Sequence, residues 1–318
     1  MRLTTLCLVV GVCLLVLGCT IGGGGGQLTV SNVRKGTDGL KMEFIDEFPP
    51  KTVFEASRII LGVQLENEGA TDIESGIVTA SLEQDYMRLL QWNRDIGLRT
   101  SRVNTAVFDL DGKRIGNPVG GKLVATADIS TLVLERQTET HTSTIVVTAC
   151  YAYQSIFQDS VCIDTNIFGT DAREKICEVK DLSSGGQGGP VGIKKVEISM
   201  LPHSDREKVI PQFTFHIVNG GGGEIVDPGQ LESVCSSAAL DRDTFNKVKV
   251  NAVLGDQRLT CNLKEGEFFL LPKRKTFSCR LIEGLSKRRG SYIAPLIVTL
   301  DYGYTQSISK KVEIRRIV

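Results

Sequence analysis

The sequence predicts an all-β protein of two tandem antiparallel β-sandwiches, and three observations predict it. Apolar residues alternate with period 2 in short segments, the mark of half-buried strands. Two such segments recur. Val63-Gln64-Leu65-Glu66-Asn67-Glu68-Gly69 resembles Phe215-His216-Ile217-Val218-Asn219-Gly220-Gly221, and residues 145–153 resemble residues 296–304. The offsets are 152 and 151 residues, so the fold is duplicated. Finally, the 318 residues include 33 glycines and few helical patterns, which suits short strands separated by turns.

At the N-terminus, Arg2 is followed by an apolar run over residues 3–17. That length fits a signal-peptide h-region and is short for a spanning helix. Leu17-Gly18-Cys19 then resembles the lipobox of prokaryotic membrane lipoproteins, in which the Cys carries the lipid and becomes the new N-terminus. The resemblance implies a signal peptide over residues 1–18 and lipidation at Cys19. An uncleaved signal anchor, or cleavage at another site, is the alternative. Residues 19–26 hold the lipidated Cys and the run Gly22 to Gly26, which by composition is a tether.

The mature chain divides at residues 183–190, a run of small residues that reads as a linker between sandwiches over 27–182 and 191–318. Strands are expected at 28–33, 77–82, 122–127, 145–153, 191–200, 247–254, 296–304 and 312–318. Tyr151 and Tyr153 share a face with Ile145, Val147 and Ala149, and Tyr302 and Tyr304 repeat this. The Asn-x-Gly that closes each first repeat segment predicts a turn with a positive φ. One short helix is expected in the first sandwich, at residues 81–96. There Leu82, Tyr86, Leu89, Leu90 and Ile96 stand at helical spacing, Ser81 is placed to cap, and Trp92 packs the helix down.

The strand that ends in Asn-x-Gly resembles the immunoglobulin-like, CARDB-like domains of bacterial and archaeal surface proteins. Two further segments resemble turns in tandem Ig-like domains of archaeal secreted proteins. One is Phe108-Asp109-Leu110-Asp111-Gly112-Lys113-Arg114 followed by Asn117-Pro118-Val119-Gly120-Gly121. The other is Cys150-Tyr151-Ala152-Tyr153 followed by Val161-Cys162-Ile163-Asp164. The resemblance implies an Ig-like fold and a cell-surface location. It implies no activity, because fold does not fix function.

Six cysteines remain beyond Cys19, an even number that argues for disulfides in an exported chain. Proximity favours Cys162 with Cys177 and Cys261 with Cys279. Cys150 and Cys235 are left as a cross-domain bridge or as free thiols. A hairpin turning near Ile156 would instead set Cys150 opposite Cys162. With no C-x-x-C and three His, no zinc or other metal site and no cofactor is expected. His141, His203 and His216 read as solvated residues, no nucleophile elbow or phosphate loop occurs, and no catalytic residue is assigned. Asp109-x-Asp111-Gly112 lacks the later Glu of a calcium loop and reads as a hairpin turn.

Candidate binding loops are Gly220, Gly221, Gly222 and Gly223, where a ligand could approach the backbone, and the basic run Lys273, Arg274 and Lys275. That run follows Phe268 and Phe269, and Lys287-Arg288-Arg289 lies near it. Apolar residues beside cations mark either a membrane contact or a buried strand end next to a solvated turn. Lys and Arg total 37, as do Asp and Glu. No basic field with interleaved aromatics points to nucleic acid. The halves differ, however. Residues 19–189 carry 16 Lys and Arg against 23 Asp and Glu, a net of −7, and residues 190–318 carry 20 against 14, a net of +6.

The function expected is a cell-membrane, lipid-anchored, extracytoplasmic binding or structural module without catalytic activity. Its partners would be the membrane, through the lipid, and an unknown surface protein or anionic envelope polymer. The alternatives are an extracytoplasmic subunit of a membrane complex and an envelope enzyme.

Overall fold

The structure is a computed structural model that describes residues 33–94, 97–102, 104–167, 174–236, 244–264, 266–269 and 274–317. Cys19, the glycine tether, most of the strand expected at 28–33, Ile96 and Lys273 lie outside the described residues.

The protein is all-β. The first half contributes β1 (Leu40–Phe44), β2 (Thr52–Phe54), β3 (Arg58–Asn67), β4 (Ile73–Ser81), β5 (Met87–Trp92), β6 (Leu98–Arg102), β7 (Thr105–Leu110), β8 (Lys122–Thr131) and β9 (Thr140–Asp164). The second contributes β10 (Leu182–Ser183), β11 (Val191–Pro202), β12 (Lys208–Asn219), β13 (Glu224–Val226), the helix α1 (Leu231–Cys235), β14 (Lys247–Leu254), β15 (Gln257–Arg258), β16 (Thr260–Cys261), β17 (Glu267–Phe269), β18 (Arg274–Arg280), β19 (Leu285–Ser286) and β20 (Ser291–Arg315).

Among the described residues three sheets form. β1-β3-β8-β5 covers the first half and β10-β11-β12-β18-β16 covers the second. Both pack on one long sheet, β15-β14-β20-β9-β4-β7-β6, which runs through the whole molecule. Its spine is β9 against β20, 25 residues each, antiparallel without a register break from Thr140↔Arg315 to Asp164↔Ser291. The two strands are also repeats of each other, since each β20 position is a β9 position shifted by 151. Equal repeats in antiparallel register define a pseudo-two-fold axis. It falls at the pair Ala152↔Gly303.

Each strand therefore crosses into the other sandwich. The outer part of β20 lies with the first half: Gln306 Nε2 donates to Leu40 O (2.5 Å), Lys310 Nζ sits 5.8 Å over the Phe44 ring, and residues 313–315 pair with β2. Val312 and Ile314 are fully buried there. The outer part of β9 lies with the second half, where Thr165 N donates to Gly290 O and Val161 and Ile163 are buried. Ile156 pairs with Thr299 in mid-strand, so no hairpin turns there and 150–153 and 161–164 are one strand. The strands expected at 296–304 and 312–318 are likewise one.

The crossing removes the charge difference between the halves. Residues 155–189 carry three Lys and Arg against six Asp and Glu, and residues 305–318 carry four against one. Once these segments are assigned to the sandwiches their strands join, nets of −7 and +6 become −1 and 0. A large charge separation between the halves, which would favour head-to-tail docking, does not survive folding.

The helix expected at 81–96 is not there. Glu83 to Met87 make a single turn, with Met87 N donating to Glu83 O (2.9 Å), and the chain then enters β5. A bulge between Leu89 and Gln91 lets Met87 and Trp92, five residues apart, both face the core. An extra residue in a strand breaks the period of 2, and the remaining spacing imitates a helix. Trp92 packs within the sandwich, its Nε1 donating to Asn104 O (3.1 Å). The helix α1 forms instead in the second half. It follows a 3-10 turn that opens with Asp227, whose carboxylate accepts from Gly229 N (2.8 Å), and with Pro228 in the first turn. Both are favoured at helical starts.

Residues 183–190 join the halves in sequence but are not a free spacer. Residues 186–190 are buried. The Gln187 amide clamps Ile193, accepting from its N at 2.7 Å and donating to its O at 3.1 Å. Gly188 O accepts from Ala70 N and from Tyr153 Oη.

A linker at residues 183–190 would let residues 190–318 fold alone. The topology weighs against it, because that fragment keeps the outer half of β20 but loses the outer half of β9. Under oxidising conditions the isolated fragment will associate or aggregate rather than melt cooperatively as a monomer. Sedimentation combined with thermal circular dichroism checks this, and a cooperative monomeric melt would show that each half carries a complete core.

Candidate functional site

At the pseudo-two-fold axis four tyrosines point from the spine into the space between the two covering sheets. Tyr151, Tyr153, Tyr302 and Tyr304 are almost wholly buried, with ring centroids 5.8 to 6.3 Å apart. A buried hydroxyl needs a partner, and each hydroxyl holds one chain segment. Tyr151 Oη accepts from Leu40 N and Tyr302 Oη from Val191 N, the first residues of β1 and β11. Tyr153 Oη accepts from Thr71 N (3.2 Å) and Tyr304 Oη from Gly223 N (2.8 Å). Tyr302 Oη also meets Ser155 Oγ at 2.9 Å.

The Asn-x-Gly repeats are the turns that these hydroxyls hold. Asn67 Oδ1 accepts from Gly69 N and Asn219 Oδ1 from Gly221 N, while the amide nitrogens donate to Thr71 O and Gly223 O. The glycines are not needed for a positive φ, since neither has one. They are needed for space. A Cβ on Gly69 would stand 1.9 Å from Tyr153 Oη, and one on Gly221 would stand 2.3 Å from Tyr304 Oη.

The candidate loop Gly220 to Gly223 is therefore mostly packed. Gly220 meets Thr37, Gly221 and Gly223 meet Tyr304, and only Gly222 has nothing near its Cβ position. With Thr37, Asp38, Lys41, Glu68 and Gln306 the loop rims a cleft of about 350 Å³. Arg274 pairs with Val218 in register, so the basic run starts beside this loop, and Lys275 is exposed. Phe268 is buried, 5.2 Å from the Phe277 ring, as a strand end beside a turn would be.

A larger cleft, of about 1400 Å³, runs from the opposite face of the shared sheet round to β5 at the edge of the first covering sheet. Its floor is the outer face of β4 and β7, through Ile77, Thr79, Thr105 and Val107. The turn after β4 supplies Gln84 and Asp85, β5 supplies Arg88, and α1 and its cap wall it with Glu232, Cys235 and Ser236. Arg99 on β6 lies at the cleft and pairs with Asp109 (2.7 Å), whose other oxygen accepts from Ser75 N (2.8 Å). Sequence reasoning missed this cleft, because one wall was assigned to a helix and the other depends on where α1 docks. The available signal was Cys150. It lies on the β9 face opposite the tyrosines, and its bridge to Cys235 pins α1 there.

The other two disulfides join Cys162 with Cys177 and Cys261 with Cys279, closing sequence separations of 15 and 18. The histidines are locally engaged. His141 stacks on Tyr86 at 3.5 Å and bonds Glu83 (2.9 Å), which lowers the Glu83 pKa. His203 Nδ1 accepts from Asp205 N, and His216 lies 3.2 Å from Glu197 and 3.3 Å from Thr276 Oγ1. Among the described residues no three His, Cys, Asp or Glu gather as a metal ion would need, and no helix is long and apolar enough to cross a membrane.

No family model matches the chain, and no curated protein matches it. Among solved structures it is similar to a cohesin–dockerin complex from Clostridium thermocellum, at 10% identity over 36% of this chain and 83% of that one, with a TM-score of 0.27. A DUF4466 family protein from Parabacteroides merdae is similar over 83% of this chain and 99% of its own, at 9% identity and a TM-score of 0.20. The partial N-terminal region of an enterococcal surface protein is similar over 90% and 87%, at 8% identity and a TM-score of 0.19. At these scores the likenesses carry no argument about fold or function.

Two predictions follow from the axis. Gly221→Ala will destabilise the protein by about 1–3 kcal/mol through overpacking, while Gly222→Ala will stay within about 0.5 kcal/mol. Denaturant midpoints compare them directly, and equal midpoints would show that the turn yields freely. The second concerns alkaline pH. Burial pushes the Tyr153 hydroxyl up to about 12 and raises Tyr151, Tyr302 and Tyr304 as well. Folded values above the unfolded value near 10 favour the protonated fold. That stabilisation is complete below about pH 10 and is lost as pH climbs through about 12 and above. In a spectrophotometric titration, four of the six tyrosines will ionise only with unfolding. Their ionisation in the folded protein near pH 10 would overturn this.

Proposed function

We propose that this is an extracytoplasmic protein, lipid-anchored through Cys19, that serves as a binding or structural module without catalytic activity. The observation that carries the reading is that all six cysteines beyond Cys19 are paired. Three disulfides belong to a chain that matures in an oxidising compartment, and the apolar run ending in Leu17-Gly18-Cys19 supplies the route and the anchor. The Asn-x-Gly turns, on which the resemblance to CARDB-like surface domains rests, support the same reading. In this protein they are built as rigid parts.

The partner is a polypeptide segment of another surface or membrane protein, seated in the larger cleft. Arg88 and Arg99 stand there beside Asp85 and Glu232. A lining of both signs suits a polypeptide better than a uniformly anionic polymer. Such a partner also accommodates the reading as an extracytoplasmic subunit of a membrane complex. The anionic polymer would have to rely on local cations such as Arg274 and Lys275, now that the halves carry no opposed net charge.

In cells, Cys19→Ser will move the protein out of the membrane fraction or leave it unprocessed. Retention in the membrane at unchanged mature mass would overturn the lipid anchor. Arg99→Glu will lose the protein that co-purifies with the wild type from native membranes, with only a small fall in melting temperature from loss of the exposed Arg99–Asp109 pair. Unchanged recovery of that protein would remove the cleft from the binding role.

A further inference from the structure

The described chain begins at the waist of the molecule, not at an end. Gly36 O accepts from Gly188 N (3.0 Å), and Arg34 Cα lies 3.4 Å from the Cβ position of Gly188. Gly188 is itself held by Tyr153 Oη. The chain thus enters over the tyrosines, beside the Ala152–Gly303 axis, on the face of the shared sheet that the two covering sheets occupy. The cleft floor on β4 and β7, and α1, occupy the other face.

Lengths decide what such an attachment permits. A strand of 25 residues at about 3.3 Å per residue is about 80 Å long, so the entry point lies about 40 Å from either end of the spine. Between Cys19 and the described chain stand residues 20–32. Fully extended they reach at most about 45 Å. Standing the body on end would need a tether near full extension. Turning it over would need the tether to pass around a two-layer body whose sheets alone are about 10 Å apart.

We propose that the protein lies along the membrane, with the covering sheets toward the lipid surface, the two sandwiches abreast, and α1 with the cleft floor on β4 and β7 facing away from the bilayer. This rests on the lipid-anchor reading. The outer face of β3, on the lipid side, shows Ile60, with Phe48 packed over Gly62 beside it. They are 43% and 44% exposed, apolar groups that suit a lipid surface. The cleft is thereby left free for a polypeptide arriving from outside.

The test uses the chain from Cys19 onward, with its one unpaired thiol coupled to a maleimide lipid in phosphatidylcholine vesicles that also hold a headgroup quencher. A fluorescent unnatural amino acid is placed in turn at Gln64 (outer face of β3), Glu232 (α1, at the cleft) and Val133 and Ile293 (opposite ends). The expected result is the greatest loss of emission at Gln64, the least at Glu232 and equal intermediate losses at the two ends. Greater loss at one end, a loss at Glu232 equal to or above that at Gln64, or equal loss at all four sites would each overturn the orientation. Because the coupling is chemical, this result does not depend on cellular lipidation. The Cys19→Ser fractionation tests lipidation separately.

Discussion

The pairing of β9 with β20 is the constraint on which the rest of the structure depends. A ladder of 25 residues a side cannot be accommodated inside one sandwich, so each strand ends in its neighbour. The other features follow from this. The cores interpenetrate, since Val161 and Ile163 serve the second and Val312 and Ile314 the first. The segment joining the halves has to pass through the crossing, which is why residues 186–190 are buried. Charged residues travel with their strands, so a difference that is large along the sequence nearly vanishes in space.

The tyrosines resolve a difficulty that the pairing creates. Where two covering sheets meet over one continuous sheet, backbone N–H groups at strand starts and turns are left without ladder partners, and buried orphans are costly. Each tyrosine hydroxyl reaches across and accepts one of them. The same hydroxyls forbid a side chain at Gly69 and Gly221. A motif that looked like a torsional requirement is thus a steric one, imposed by a residue more than eighty positions away.

Much of the fold was legible, and what escaped did so for identifiable reasons. Alternation and the repeat offset gave the strands and the duplication, because both are properties of the one-dimensional pattern. Strand exchange left no such mark, because two equal repeats pair equally well within a half or between halves. The bulge at Leu89 to Gln91 disguised β5, since one inserted residue turns a spacing of four into five. The tyrosines could be assigned to a buried face, but what their hydroxyls bond could not be read from spacing. Of the candidate site residues, Gly221 and Gly223 are packed against Tyr304. The larger cleft was invisible because Cys150 and Cys235 admitted more than one fate.

Among the described residues, α1 has no counterpart in the first repeat. In the first half, β4 runs directly from the Asn-x-Gly turn, whereas residues 227–246 separate β13 from β14 in the second. A single repeat closing the same spine would have to do so as a homodimer, with assembly dependent on concentration and every feature present twice. Joining the repeats in one chain makes the association intramolecular and releases the two copies from having to be identical. One copy can then gain a helix and a bridge to its neighbour while the other keeps a bare sheet face. The result is a nearly symmetric frame in which α1 and its bridge to the shared sheet occur once rather than twice.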